Sequence, residues 1–289
     1  MNRYLAGAGV VVGMLWAAES VAKPGPEVYV QERYVLYTFQ VENTGNEPVA
    51  RAEFWCQAPV RQTPLQKTLR VKTVPEADRQ ADEWGNQTLH FTLTNLPPYG
   101  LKIFRVEVDL AYAETPQPMA DRDLDVFLQA EPFVESDAPE IRAVADGFPA
   151  GAANAVARQI YDWIVANVKY SGYQSEELGA LWALNNRRGD CTEQADLFVA
   201  LCRARGIPAR RMSGYLCDRN RRLVPALFHD WAEYYDGNRW QRVDVQRQAF
   251  ETAVADHVAM RVHAGGAPAD SCRFRVEGKG VKATMKDAE

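Results

Sequence analysis

Asp190-Cys191, His229-Asp230-Trp231 and Asp244 are the residues of this sequence whose types and order could carry out covalent chemistry. A thiol, an imidazole and a carboxylate are the nucleophile, the general base and the orienting group that covalent acyl transfer needs. In that chemistry the sulfur attacks a carbonyl carbon, the imidazole carries the proton, and the carboxylate fixes the imidazole tautomer. The three groups lie 38 and then 15 residues apart, so the fold must bring them together.

The thiol is placed at the start of a helix. Gly189-Asp190-Cys191-Thr192-Glu193 opens an apolar run from Ala195 to Ala204 that stops at Gly206 and Pro208. Asp190 can cap this helix while Glu193, three residues on, reaches back to form a capping box. Gly206, with Arg203 and Arg205 before it, is a C-terminal signal. Cys191 then occupies the first helical position, where unpaired N–H groups and the helix dipole favour a thiolate and lower its pKa. The same N–H groups could hold a developing oxyanion. Leu197, Phe198, Val199, Leu201 and Cys202 make the helix apolar nearly all round, so it should be buried.

The base and its orienter come from a hairpin. His229–Tyr235 and Asn238–Val245 read as strands rich in aromatic and β-branched residues, with Asp236-Gly237 as a two-residue turn between them. With that loop, Tyr235 pairs with Asn238, Trp231 with Arg242 and His229 with Asp244. Side chains directly opposite have Cβ atoms about 4.5–5.5 Å apart, close enough for a carboxylate to bind an imidazole N–H. A three-residue loop would send the two side chains to opposite faces. Trp231 shares a face with His229 and could wall the cleft against water. Tyr170 and Trp182 are the two candidates for a second oxyanion donor, with nothing in the sequence to choose between them.

These residues carry a resemblance. Gly189-Asp190-Cys191, Gly206-Ile207-Pro208-Ala209-Arg210, Ser213-Gly214-Tyr215, His229-Asp230-Trp231-Ala232-Glu233 and Trp240-Gln241-Arg242-Val243-Asp244 resemble the transglutaminase-like superfamily, in order and spacing, over about 137–244. The resemblance implies a papain-like α+β core with the cysteine on a central helix against an antiparallel sheet. It implies the roles of nucleophile for Cys191, base for His229 and orienter for Asp244, and it implies action on amide or peptide bonds through a thioester. The family aspartate is often followed by proline or a small polar residue, whereas Val245-Gln246-Arg247 follows here.

The rest of the chain sorts around this core. Residues 1–22 carry Arg3, an apolar stretch from Leu5 to Trp16 and the small residues Ser20-Val21-Ala22, the pattern of a secretory signal cleaved after Ala22, with a retained anchor as the alternative. The expected location is therefore periplasmic or secreted, with no membrane span after cleavage. Removing those residues takes Arg3 and Glu19 together and leaves the net charge at −5, which gives no electrostatic reason to expect nucleic acid as partner. The expected partner is a protein or peptide substrate, including one in the cell envelope.

Residues 23–131 read as short strands with regular turns, an antiparallel β-sandwich that looks like the immunoglobulin-like module found ahead of some bacterial transglutaminase-like domains. Residues 132–277 would form the α+β core, with helices at Pro139-Glu140, about 153–168 and about 176–184. Residues 278–289 read as a flexible tail. Five cysteines form an odd set, which one free nucleophile and up to two disulfides among Cys56, Cys202, Cys217 and Cys272 would explain. His257 and His263, with Asp256 and Asp270 nearby, match no metal motif and read as a solvated loop. No Gly-rich phosphate loop follows a strand, so no cofactor is expected. A non-catalytic binding or scaffold protein that keeps the fold is the alternative function.

Overall fold

The computed structural model describes residues 28–119, 124–265 and 273–287. The expected signal segment and Cys272 lie outside these residues. Six strands come first: β1 (Tyr29–Asn43), β2 (Val49–Ala58), β3 (Gln66–Val74), β4 (Asp78–Ala81), β5 (Gln87–Leu96) and β6 (Leu101–Ala113). Alternation makes them strands: in β1, Val35, Tyr37, Phe39 and Val41 point inward with more exposed residues between them. β1 is one continuous strand with a bulge near its start, between Tyr29 and Gln31. β3 and β4 escape the sequence pattern because they are polar: Lys67, Arg70 and Lys72 line one and Asp78-Arg79-Gln80 the other. Charged side chains of this kind protect a sheet edge from further pairing.

Helices and short strands follow: α1 (Pro139–Ala145), α2 (Ala153–Asn167), β7 (Lys169–Tyr170), α3 (Ala180–Asn186), β8 (Arg188–Gly189) and α4 (Cys191–Ala204). α3 begins four residues later than its sequence pattern, because Gly179 takes a left-handed φ of 85° that no helix can include. The chain then returns to strands: β9 (Ala209–Leu216), β10 (Arg221–Arg222), β11 (Phe228–Tyr235), β12 (Trp240–Asp244), β13 (Ala249–Phe250), β14 (His257–Val262), β15 (Phe274–Glu277) and β16 (Val281–Met285).

The fold is α+β. One sheet is ordered β13-β12-β11-β9-β14 and packs one face on α4. The sandwich consists of β3-β6-β1, extended by β10 and β16 on the outer side of β1, facing β4-β5-β2-β15. Its core joins Tyr37, Phe39, Phe54, Phe91 and Phe104 to Tyr215, Val258 and Met260 of the other sheet, so apolar packing runs continuously between the two units.

The last two strands correct the expected boundaries. β15 pairs with β2 and β16 with β1, Met285 lying opposite Phe39, so 278–289 is not a flexible tail and 274–277 does not belong to the α+β core. Val281, Ala283 and Met285 alternate with Lys282 and Thr284, a period of two that the surrounding charges obscure.

The mount for the thiol is α4. From Glu193 to Arg203 every residue is buried, with α1, α2 and α3 around one side and β9, β11 and β12 against the other. Phe198 meets Tyr234 of β11 at a ring-centroid distance of 6.2 Å. Such a helix has little freedom to shift relative to the sheet.

Candidate active site

The first turn of α4 is built as its sequence suggests. Asp190 accepts from the Thr192 N–H (2.8 Å), and the Asp190 N–H donates to Glu193 (2.9 Å), completing a capping box. The second oxygen of each carboxylate holds the preceding loop: Gln174 N–H donates to Asp190 (2.9 Å) and Leu178 N–H to Glu193 (3.1 Å). Gly189 has a steric reason for its place, since a Cβ there would lie 2.5 Å from the Cβ of Glu193. Cys191 is thus the first residue of a helix whose start is fixed from both sides.

Its thiol does not behave as helix position alone would dictate. Burial pushes the Cys191 thiol up, and the carboxylate charges of Asp230 and Asp190 add to that rise. Hydrogen bonds from the Asp230 backbone and the Thr192 side chain act the other way and are outweighed. The expectation of a lowered pKa is therefore reversed, because desolvation and two carboxylates exceed the effect of the helix end.

β11 and β12 place the imidazole and carboxylate. The ladder pairs Ala232 with Val243 and Tyr235 with Trp240, so the loop is the four residues 236–239 rather than Asp236-Gly237. Asp236 causes the difference: its side chain accepts from the N–H groups of Asn238 (2.8 Å) and Arg239 (2.9 Å), closing a wider turn. The register moves by two, an even number, so His229 and Asp244 stay on one face. The His229 Nε2–H donates to Asp244 Oδ2 at 2.7 Å, with both side chains almost wholly buried. That bond leaves the proton off Nδ1, the tautomer a base needs.

Cys191 and His229 share no hydrogen bond. The Asp230 backbone, next to His229, favours the Cys191 thiolate instead. Pairing between β11 and β12 begins only at Ala232, so β12 leaves a notch beside the Asp230 main chain. The start of α4 lies against that stretch, with Thr192 Oγ1 donating to the Asp230 carboxylate at 2.7 Å.

Sequence reasoning missed what surrounds Asp244. His257, expected in a solvated loop, is buried at the start of β14 and donates Nε2–H to the same Asp244 oxygen at 3.0 Å. The Arg247 main-chain N–H holds the other oxygen at 3.1 Å. Burial alone would raise the Asp244 carboxyl. The hydrogen bonds and charges of His229 and His257 outweigh that and hold it well below the usual carboxylate range. The apolar run Val258–Val262 already reads as a strand in the sequence; what it does not show is that His257 opens that strand and is buried.

Trp231 is buried on the His229 face, its ring nearly parallel to the imidazole at 6.4 Å and edge-on to His257 at 4.7 Å. Tyr170 is half exposed beside Cys191. Burial raises its phenol, the Cys191 and Asp190 charges add to this, and a hydrogen bond with Gln246 opposes it. Trp182 lies under Arg188, whose guanidinium sits 5.6 Å from its ring. Of the two oxyanion candidates, Tyr170 is the one whose phenol feels the Cys191 charge.

Beneath the notch, Asp230 accepts from Thr192 Oγ1 (2.7 Å) and from Ser213 Oγ, which meets His263 Nε2 at 2.6 Å. His263 is therefore not in a solvated loop. Burial pushes its imidazole far down and the charges of Arg211 and Arg261 reinforce this, so it is neutral. Arg211 binds the fully buried Asp196 of α4 at 2.9 Å and Glu177 at 3.0 Å, locking β9 to the helix. Among the described cysteines, Cys56, Cys191, Cys202 and Cys217 are all unpaired.

His229, Asp244 and His257 present ligand atoms within 4.8 Å of one another. Both Nε2 atoms already donate to one carboxylate oxygen. The guanidinium of Arg242 stands 2.9 Å from His257 Nδ1 and that of Arg247 3.9 Å from Asp244. Two fixed positive charges oppose a cation here, so the group reads as a hydrogen-bonded cluster.

Residues 142–245 match the family model of the transglutaminase-like superfamily core. A solved structure from Cytophaga hutchinsonii, described as a candidate cysteine protease, is similar over 89% of this chain and 90% of its own, at 21% identity and a TM-score of 0.59. The periplasmic domain of TgpA from Pseudomonas aeruginosa is similar over 71% of this chain and 90% of its own, at 17% identity and a TM-score of 0.39. No curated protein matches the sequence.

Proposed function

From a chain that carries a transglutaminase-like core over residues 142–245, we propose a thiol enzyme that acts on amide or peptide bonds through Cys191, His229 and Asp244. Cys191 Sγ attacks the carbonyl carbon while its proton passes to His229 Nδ1. The tetrahedral oxyanion is held by N–H groups at the start of α4, with Tyr170 beside them. Collapse expels the amine, which takes the proton from His229 and leaves a thioester on Cys191. Water then releases an acid, or a second amine forms a new amide. Hydrolysis is the favoured outcome.

One observation carries this reading: the buried 2.7 Å bond from His229 Nε2 to Asp244, one residue from Asp230, against which the helix bearing Cys191 starts. The protein is further proposed to work in the periplasm or outside the cell, on protein or peptide substrates that include envelope components. No helix among the described residues is long and apolar enough to cross a membrane. The sandwich is proposed to be an immunoglobulin-like module.

A second reading, a non-catalytic protein that retains the fold, is favoured by the raised thiol and the absence of a Cys191–His229 hydrogen bond. One experiment separates the two. The protein is incubated with denatured casein, with and without a fluorescent primary amine, then acid-quenched and examined by intact mass. A thioester adduct and new products that vanish in Cys191→Ala and fall sharply in His229→Ala support the enzyme. Equal output from wild type and Cys191→Ala removes the enzyme reading.

A further inference from the structure

We propose that His257 is a positioning residue for the candidate base, acting on His229 through the carboxylate they share. The inference rests on the reading of His229 as proton acceptor. Asp244 Oδ2 receives Nε2–H from His229 at 2.7 Å and from His257 at 3.0 Å, while the Arg247 N–H occupies Oδ1. The carboxylate is therefore held at both oxygens and cannot turn away from His229. The second donor also divides its negative charge, so Asp244 pulls less on the His229 N–H than it would alone.

The other side of His257 is equally well defined. Its Nδ1 stands 2.7 Å from Asp256 Oδ1 and 2.9 Å from Arg242 Nη1. An arginine can only donate and a carboxylate can only accept, so Nδ1 satisfies one when protonated and the other when not. The groups facing this ring are Asp244 and Arg242 of β12, Asp256 just before β14, and His229 and Trp231 of β11. Arg247 reaches both Asp244 and Asp256. Tyr112 of β6 lies within the field of Arg242 and Asp256. This ring of partners gives His257 one orientation, with Nε2 aimed at Asp244.

The test needs no substrate. The chain has four histidines, so long-range 1H–15N imidazole spectra contain four ring systems, and His229→Ala assigns the one that matters. In the wild type, His229 should appear as the Nε2–H tautomer. In His257→Ala, Asp244 is left wholly to His229, so the His229 Nε2–H proton resonance should move downfield as that hydrogen bond strengthens. His257→Gln, which can supply an N–H but carries no charge, should reverse part of that move.

A purely structural role predicts a lower melting temperature with an unmoved His229 Nε2–H resonance, and that result overturns the proposal. An Nδ1–H tautomer for His229 in the wild type overturns it as well. If His257→Ala does not fold, the glutamine variant carries the test: a His229 resonance identical to wild type together with a lost Asp244 contact would count against the proposal. A Cys191→Ala protein that still turns over casein would defeat the enzyme reading and leave the spectroscopic result standing.

Discussion

His229 and Asp244 lie diagonally across the β11–β12 ladder, two residues out of direct opposition, and still share a 2.7 Å hydrogen bond. Side chains on one face of a sheet repeat every second residue, so an offset of two preserves the face while an offset of one destroys it. The bond depends on parity, and the hydrogen bonds of Asp236 within the turn set that parity.

Asp244→Asn should therefore cost rate far more than fold. An amide in place of the carboxylate removes the charge that supports imidazolium and permits the wrong tautomer. The expected loss in kcat is about 10²–10⁴-fold, with the melting temperature little changed. The same carboxyl fixes an acid limit. Its folded-state pKa is depressed, so its contribution to stability is present above the unfolded value of about 3.9 and fades as the pH falls below it. Urea midpoints measured from pH 6 down to pH 3 should drop in the wild type and drop less in the asparagine variant.

Cys191 should resist alkylation at neutral pH. Burial and the charges of Asp230 and Asp190 raise its pKa, so iodoacetamide labelling of the native protein should be slow at pH 7 and accelerate only in alkaline solution. The sign for stability follows from the same shift. The folded state keeps this proton longer than the unfolded chain, so the contribution is full below about pH 8.5 and is lost as the pH rises beyond it. Fast labelling at pH 6 would contradict this account, and peptide mass spectrometry reads the site directly.

Arg211→Met should destabilise the protein by about 3–5 kcal/mol, because Asp196 would be left buried without its cation. Burial already pushes the Asp196 carboxyl up, and Arg211 is the group that opposes this. Adding Asp196→Leu should recover much of the loss. Guanidinium unfolding of the single and double variants measures both quantities, and a double variant no better than the single would disprove the pairing argument.

Gly214→Ala should loosen β14 from β9. A Cβ at this position would lie 1.9 Å from the carbonyl oxygen of Val258, a backbone atom that cannot swing aside. The expected cost is about 1–3 kcal/mol in unfolding free energy. Amide exchange should accelerate in Val258–Val262 before it does in β12.

Much of the site was readable in the sequence because it is local. The Asp190–Glu193 box, the apolar run of α4 and the aromatic alternation of β11 each declare themselves within a few residues. The α+β class and the strand-rich N-terminal half follow from the same patterns. What escaped depends on distant partners. His257 gains its meaning only when β14 docks against β9, thirteen residues past Asp244. The turn length hid in a competition between Asp236-Gly237 and the Asp236 side chain as acceptor. The thiol pKa could not be read from helix position, because the opposing carboxylate of Asp230 comes from another strand. β3 and β4 were missed because an edge strand protected by charge looks like a loop.

The return of β15 and β16 to the sandwich makes the polypeptide a closed circuit: it leaves β6, builds the α+β core, and finishes on the outer sides of strands laid down at its beginning. The chain also returns to the sandwich midway, where β10 pairs with β1 between β9 and β11, and Leu223 and Tyr215 are anchored in the same apolar interior, so no single connector joins the halves. Neither half can be excised whole by one cut. On the proposed function, a substrate would reach Cys191 through adjustments of side chains and short loops near Asp230 rather than by a swing of one half against the other.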